Sequence, residues 1–360
     1  MSTETAPVLA DLQACVAMMK GGSRTFFAAS RLLPPRVRAA AIALYAFCRV
    51  ADDLVDEAAA GDTLPLQQLA QRLDDIYDGT PQDHVEDHAL NLVVQQYGLP
   101  RHLLDALVEG FAWDAQGRCY ETLEDVQAYG ARVAGSVGAM MCWIMGPRDD
   151  ATLARACELG VAMQLTNIAR DVGADAAIGR LYLPRQWLRE EGLQAEAWLA
   201  APRFEPAIAA ATERLLQEAD RLYALGQTGI AALPPDCRAA ILAASMIYAE
   251  IGLQLRREGH NSVDRRTVVS TGRKLVLLAG AWTQSHFIYM PARTPPPLAA
   301  IAPLVHGCTS GQAPSRASGQ GWFPNRAMPQ RVQWMLELFE RREHERLQRR
   351  SGQNRGRPPQ

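Results

Sequence analysis

The chain has 360 residues, 48% of them hydrophobic and 21% charged, which is enough to bury a large core in one big domain or two modest ones. A formal net charge of -2 and a pI near 6.4 leave no surplus of Lys and Arg to coat a polyanion, so no nucleic-acid partner is expected. Cys15, Cys48, Cys119, Cys142, Cys157, Cys237 and Cys308 are odd in number, scattered and never paired as CxxC, which reads as reduced thiols with neither a disulfide framework nor a zinc ribbon. Met1-Ser2-Thr3-Glu4 leads into no basic and apolar leader, and the longest apolar stretches, such as 133–145 and 239–249, fall short of the ~18–20 residues that span a bilayer. The expected location is the cytoplasm.

Nearly every segment up to about residue 290 carries apolar residues at i, i+3, i+4 and i+7 with little alternation, so the expected fold is all-α, a single large helical bundle with a central cavity. Helix breaks fall at Gly21-Gly22, Leu33-Pro34-Pro35, Gly79-Thr80-Pro81, Gly98-Leu99-Pro100, Gly146-Pro147 and Leu233-Pro234-Pro235. Two runs, one from Pro34 to Gly61 and one from Asp149 to Val172, read as long buried helices that end in charge. Between them, His84-Val85-Glu86-Asp87-His88 sets two histidines at i, i+4, but it lacks the HExxH order and lies in a polar stretch, so it reads as solvated surface. The packed domain is expected over 1–290. A Pro/Gly/Ser-rich linker follows over 291–330, then a basic amphipathic helix over 331–350 and a disordered tail over 351–360. The helix either docks back on the bundle or lies on an anionic membrane surface, which would put the protein at the inner face of the membrane.

The chemistry concentrates in two places. In Arg49-Val50-Ala51-Asp52-Asp53-Leu54-Val55-Asp56-Glu57 an apolar helix meets a knot of carboxylates, and Asp52 and Asp56 project from one face, one turn apart. Like charges at that spacing raise each other's pKa and ask for a cation. No lysine is present there, so a hard divalent ion with oxygen ligands is indicated, magnesium above all and manganese as its substitute. Alone, such a pair is most often a solvated helix end. The second cluster, Gln164 to Asp175, sets Asn167, Asp171 and Asp175 at i, i+4, i+8, provided the helix continues past Gly173. Two oxygen-rich faces about 115 residues apart in the chain predict a cavity with metal on both walls, gripping a diphosphate. Arg49 and Arg170 stand beside the clusters, placed to bind phosphate oxygens, and Phe26, Phe27, Tyr45 and Tyr129 could shield a carbocation with their rings. There is no GxGxxG after a strand and no P-loop.

These residues resemble the squalene/phytoene synthase family of head-to-head prenyl transferases. The likeness covers roughly residues 15 to 290, through SRTFFAASRLLP, ALYAFCRVADDLVDE, YGARVAGSVG, QLTNIARDVGADAAIGRLYLP and DRRTVVSTGRKL. It implies Asp52 and Asp56 as the first magnesium motif and Asn167, Asp171 and Asp175 as the second, with Asp52, Asp56, Asp171 and Asp175 essential to catalysis. It implies diphosphate contacts from Arg49 and Arg170 with Ser23 close by, a pocket lined by Phe26, Tyr45, Tyr129, Val133 and Gln164, and looser matches at Tyr248 and Arg265. Gly130 stands where members often have Cys, and Ala174 where many have an acid.

The motif context is nearest to the phytoene-forming branch. That implies joining two geranylgeranyl diphosphates through a cyclopropylcarbinyl diphosphate, with final loss of a proton, no NADPH, and hand-over to downstream carotenoid enzymes. The alternatives are a C15-using dehydrosqualene or squalene synthase, and a non-catalytic helical relative acting as a binding module.

Overall fold

The computed structural model describes residues 5–22, 27, 29–58, 62–288 and 295–308, and every element among them is helical. Ser23, Phe26 and the expected segments at 309–360 lie outside the described residues. The long helices are α1 (Thr5–Gly22), α2 (Pro35–Asp56), α3 (Leu64–Tyr77), α4 (Val85–Tyr97), α5 (Arg101–Ala115), α6 (Leu123–Gly130), α7 (Ser136–Met145) and α8 (Asp150–Ala177). Two short ones follow, α9 (Arg185–Glu190) and α10 (Ala195–Ala200), then α11 (Pro206–Gly229), α12 (Pro235–Arg257), α13 (Thr271–Gln284) and α14 (Ala302–His306). Their starts follow the local chemistry. Pro35 opens α2 where its missing N–H costs nothing, Asp149 caps α8 by accepting from the Thr152 N–H at 2.9 Å, and Thr122 and Asp125 form a reciprocal capping box on α6.

The 28-residue α8 is the axis of the bundle, packed against α7, α11 and α12 and buried on most of its circumference. It also packs closely on the π-helical turn Ala131–Gly135 that joins α6 to α7. A Cβ on Gly160 would stand 2.2 Å from the Ala134 carbonyl oxygen, so only glycine lets the two backbones approach this closely. The π turn breaks the helix within YGARVAGSVG, a place where such bulges commonly serve a site.

Three expectations are corrected. The HVEDH segment is not solvated: His84 is exposed, but Glu86 and Asp87 are buried and bind the buried Arg72 of α3 at 2.6–2.8 Å. The histidine spacing drew attention to the wrong residues. Arg72→Met leaves two buried carboxylates without a cation, and urea unfolding should register a loss of about 3–5 kcal/mol; a loss below about 1 kcal/mol would refute a structural role for this triad.

The packed domain does not end near residue 290. Segment 295–308 docks on α8, where Arg155 and Glu158 form an ion pair with side chains only 6% and 0% exposed. Arg155 donates to the Pro295 carbonyl at 2.7 Å, Glu158 accepts from the Leu298 N–H at 3.0 Å, and Ile301, Leu304 and Val305 are buried. Pro-rich composition masked a strap that completes a buried ion pair. Finally, α12 is long and apolar enough to cross a membrane by length and composition, yet it packs within the bundle against α8, α11 and α13.

Candidate active site

Carboxylates crowd the C-terminal ends of α2 and α8, and neither helix has a basic residue in its last turn. That arrangement opposes the helix dipole, which favours cations at this end. Helix α8 continues through Ala177, so Asn167, Asp171 and Asp175 share one face as the spacing required. The two walls meet directly: Arg180, just past α8, donates to Asp56 of α2 at 2.9 Å. Asp114 of α5 lies between them, its charge bearing on Asp52 on one side and on Asp175 on the other.

Six carboxylates (Asp52, Asp53, Asp56, Asp114, Asp171, Asp175) face four guanidiniums here, and the distribution is uneven. Arg49 grips Asp53 with Nε at 2.9 Å and a second nitrogen, leaving Asp52 at 3.7 Å. Asp171 is held twice, by Arg170 at 2.9 Å and by Arg266 at 2.7 and 3.2 Å. Burial alone would raise Asp171, but the two arginines outweigh it and hold the carboxyl below its usual value. Asp52 and Asp175 have no such partner. Burial first, and the neighbouring Asp56 second, push Asp52 up to about 6. Burial, then Asp171, push Asp175 up to about 7.

The walls therefore hold more negative charge than their arginines balance. Asn167 adds a second signature: its Nδ2 reaches Gln164 Oε1 at 3.4 Å, while its Oδ1 is buried with no donor. An acceptor without a donor, beside two under-compensated carboxylates, fits an oxygen-seeking cation. Among the described residues no three His, Cys, Asp or Glu side chains converge into a closed cage. The fit is accordingly to a hard divalent cation that draws only some of its oxygen ligands from the protein.

The aromatic side of the site is more ordered than the sequence implied. Tyr129 and Tyr182 each donate to Asp114, both at 2.7 Å, and their rings stack at 5.0 Å, with Tyr120 5.3 Å from Tyr129. Burial keeps Asp114 above the usual carboxylate range despite those two bonds. Tyr45 is half-buried one turn before Arg49, and Tyr248 is buried near Arg170 and Asp171. Phe27 is buried with the Arg31 guanidinium 4.8 Å over its ring. Val133 is half-buried on the π turn, its Cγ1 against Gly110 of α5.

Arg265 is a correction of one residue. Its guanidinium donates to the Glu258 carbonyl at 3.0 Å, whereas Arg266 reaches Asp171. No helical period runs through 258–270 to fix which neighbour faces in. Sequence reasoning also missed Asp114, Arg180 and Tyr182. The last two lie inside QLTNIARDVGADAAIGRLYLP and were within reach, but Asp114 is one of three acids spread along α5, with Asp105 and Glu109, and no motif set it apart from them.

The squalene/phytoene synthase family profile matches residues 19–273. A phytoene synthase of Rhodobacter capsulatus is 52% identical over 274 residues, covering 76% of this chain and 81% of that protein. Another from Cereibacter sphaeroides is 49% identical over 310 residues, covering 84% and 83%. Among solved structures, a dehydrosqualene synthase in complex with ligand superposes with a TM-score of 0.72 at 31% identity, covering 78% of this chain and 98% of that one. With both carboxylate walls inside the matched region, this chain belongs to the squalene/phytoene synthase family.

Proposed function

We propose that this prenyl transferase joins two geranylgeranyl diphosphates head to head into phytoene, releasing diphosphate, with magnesium at the paired walls. The observation that carries the chemistry is the facing of Asp52 and Asp56 with Asn167, Asp171 and Asp175 across the Arg180–Asp56 bridge. The C20 substrate draws its support from the phytoene synthases that are 49–52% identical.

Bound magnesium would supply Lewis-acid neutralisation of the leaving diphosphate. The chain's own residues do the rest. Arg49, Arg170 and Arg266 rest on Asp53 and Asp171, and with a cation bound there their guanidiniums would be free to pair with phosphate oxygens bidentately. Asp114 anchors the phenols of Tyr129 and Tyr182, which locks two stacked rings beside the reacting centre, where ring faces stabilise positive charge. The leaving diphosphate serves as the base for the final proton, since no histidine lies in the motifs.

Purified protein with magnesium should convert C20 diphosphate to a C40 hydrocarbon without NADPH. Turnover of C15 diphosphate alone would overturn the substrate assignment and leave the ionising chemistry intact. We further place the protein in the cytoplasm, with membrane contact through 331–350; flotation with liposomes that is unchanged by deleting 331–360 would remove that contact.

A further inference from the structure

Beside the first wall lies a cleft that shares Asp114, Arg180 and Tyr182 with the site but is also lined by Arg118 and Arg185, to which the transfer chemistry gives no part. The loop after α5 and the segment after α8 form this small cleft, open to solvent and lined among others by Arg118, Arg180, Arg185, Tyr120, Asp114 and Leu199. Three guanidiniums thus face one carboxylate, and that carboxylate is already committed, its two oxygens taken by Tyr129 and Tyr182 at 2.7 Å each.

The donors around the cleft are under-used. Arg180 gives one Nη to Asp56 at 2.9 Å. Arg185 gives Nη1 to Glu196 at 2.5 Å, on the rim where Glu196 is 70% exposed, and its Nε is buried with no acceptor. The Arg118 guanidinium lies 3.6 Å over the Trp113 ring and takes no acceptor among the described residues. Tyr120 is 1% exposed, and its hydroxyl is buried with no partner. Tyr120 lines the cleft together with Asp114, Arg118 and Arg180.

A buried donor without an acceptor is costly, and two of them beside three arginines describe a pocket built to surround an anion. Planar guanidiniums pair with phosphate-class oxygens bidentately, and a multi-oxygen anion uses this many donors better than a single carboxylate does.

We propose that this cleft is a second oxyanion site, adjoining the first wall through the Arg180–Asp56 bridge, which takes inorganic diphosphate on Arg118, Arg180 and Arg185 with the Tyr120 hydroxyl. Its source in the cell is the diphosphate released by the reaction; the source rests on the function proposed above, and the site does not. Because Arg180 also holds Asp56, an anion that recruits Arg180 loosens that bridge, and the linkage is reciprocal. Released diphosphate would then inhibit without competing for the prenyl pocket.

Cys119 supplies a readout independent of activity. It lines the cleft and is the one exposed cysteine, the other six being buried or half-buried. The rate at which a neutral maleimide modifies Cys119 is measured on the full chain in EDTA, so that the walls carry no metal. Inorganic diphosphate should slow the reaction saturably. Arg118→Ala should weaken that protection about tenfold or more, and Tyr120→Phe, which removes a hydroxyl the fold leaves unpaired, roughly threefold while keeping the fold intact. Asp171→Ala should leave it unchanged.

Absence of protection in the wild type, or wild-type protection in both Arg118→Ala and Tyr120→Phe, overturns the site. If geranylgeranyl diphosphate protects at lower concentration than inorganic diphosphate, the cleft serves substrate and the product assignment fails. Failure to form a C40 product in the transfer assay would touch neither result.

Discussion

Asp175→Asn is expected to make the metal-free protein more stable and, in the same substitution, to abolish most of its turnover. Burial and the neighbouring Asp171 raise the Asp175 carboxyl from 3.8 to about 7 in the folded chain. A group whose folded pKa lies above its unfolded value is held more easily as the acid. The wild type therefore loses stability as pH climbs from about 4 to about 7, and the loss is complete above that window. The amide carries no charge and escapes it. Thermal melts in EDTA should show the variant ahead by a margin that grows from pH 5 to pH 8, on the order of 1–2 °C for each kcal/mol at this chain length. Turnover should fall by about 10²–10³ or more, the scale on which an enzyme loses one electrostatic contact to its transition state. Added magnesium with inorganic diphosphate should raise the melting temperature of the wild type more than that of the variant, since only the wild type has the full charge to compensate. If the variant melts lower than the wild type at pH 8 in EDTA, the wall carries no uncompensated charge and the reading of the site fails.

An opposition of this kind between stability and activity would account for why the two carboxylate-bearing helices stand out in the amino-acid sequence. Residues that serve only the fold tend to respect the helix dipole and to pair their charges. Asp52, Asp56, Asp171 and Asp175 all oppose the dipole near the ends of apolar helices, Asp52 and Asp175 lack a close arginine as well, and such violations cluster where function maintains them. The helical period made the bundle legible in the same way, because 3.6-residue spacing survives in long elements such as α2, α3, α11 and α13.

What stayed hidden had no period to reveal it. Arg266 rather than Arg265 meets Asp171 because the path of the 258–270 loop is set by docking against α8, which a sequence does not display. Asp114 became visible only when Tyr129 and Tyr182, 53 residues apart in sequence, arrived on its two oxygens. The strap over 295–308 was read as linker from its prolines. Its role lies in backbone groups that satisfy Arg155 and Glu158, and backbone groups are common to every residue type.

That docked loop leads to the other large expected effect. Gly173 sits inside α8, two residues past Asp171, where replacing glycine by alanine ordinarily stabilises a helix by about 1 kcal/mol. Here the sign should reverse. A Cβ on Gly173 would lie 2.1 Å from the Val263 carbonyl oxygen and 2.7 and 2.8 Å from the Val263 C and Cα, all backbone atoms that cannot rotate aside. The Gly173 N–H also donates to the Ser262 carbonyl at 3.0 Å, so the loop is seated by the very residue that makes room for it. Gly173→Ala must lift 262–266 off α8 and withdraw Arg266 from Asp171, leaving that carboxylate to Arg170 alone. The expected outcome is a melting temperature lowered by an overpacking cost of about 1–3 kcal/mol. Faster hydrogen exchange confined to 260–267 should accompany it. Turnover should drop through a raised KM, because Arg266 is a diphosphate contact in this reading. Arg266→Ala supplies the control: it should reproduce the kinetic defect and spare the exchange protection of the loop. Were Gly173→Ala to melt at or above the wild-type temperature, the close approach of loop and helix would not exist in solution, and Arg266 would lose the support that puts it on the second wall.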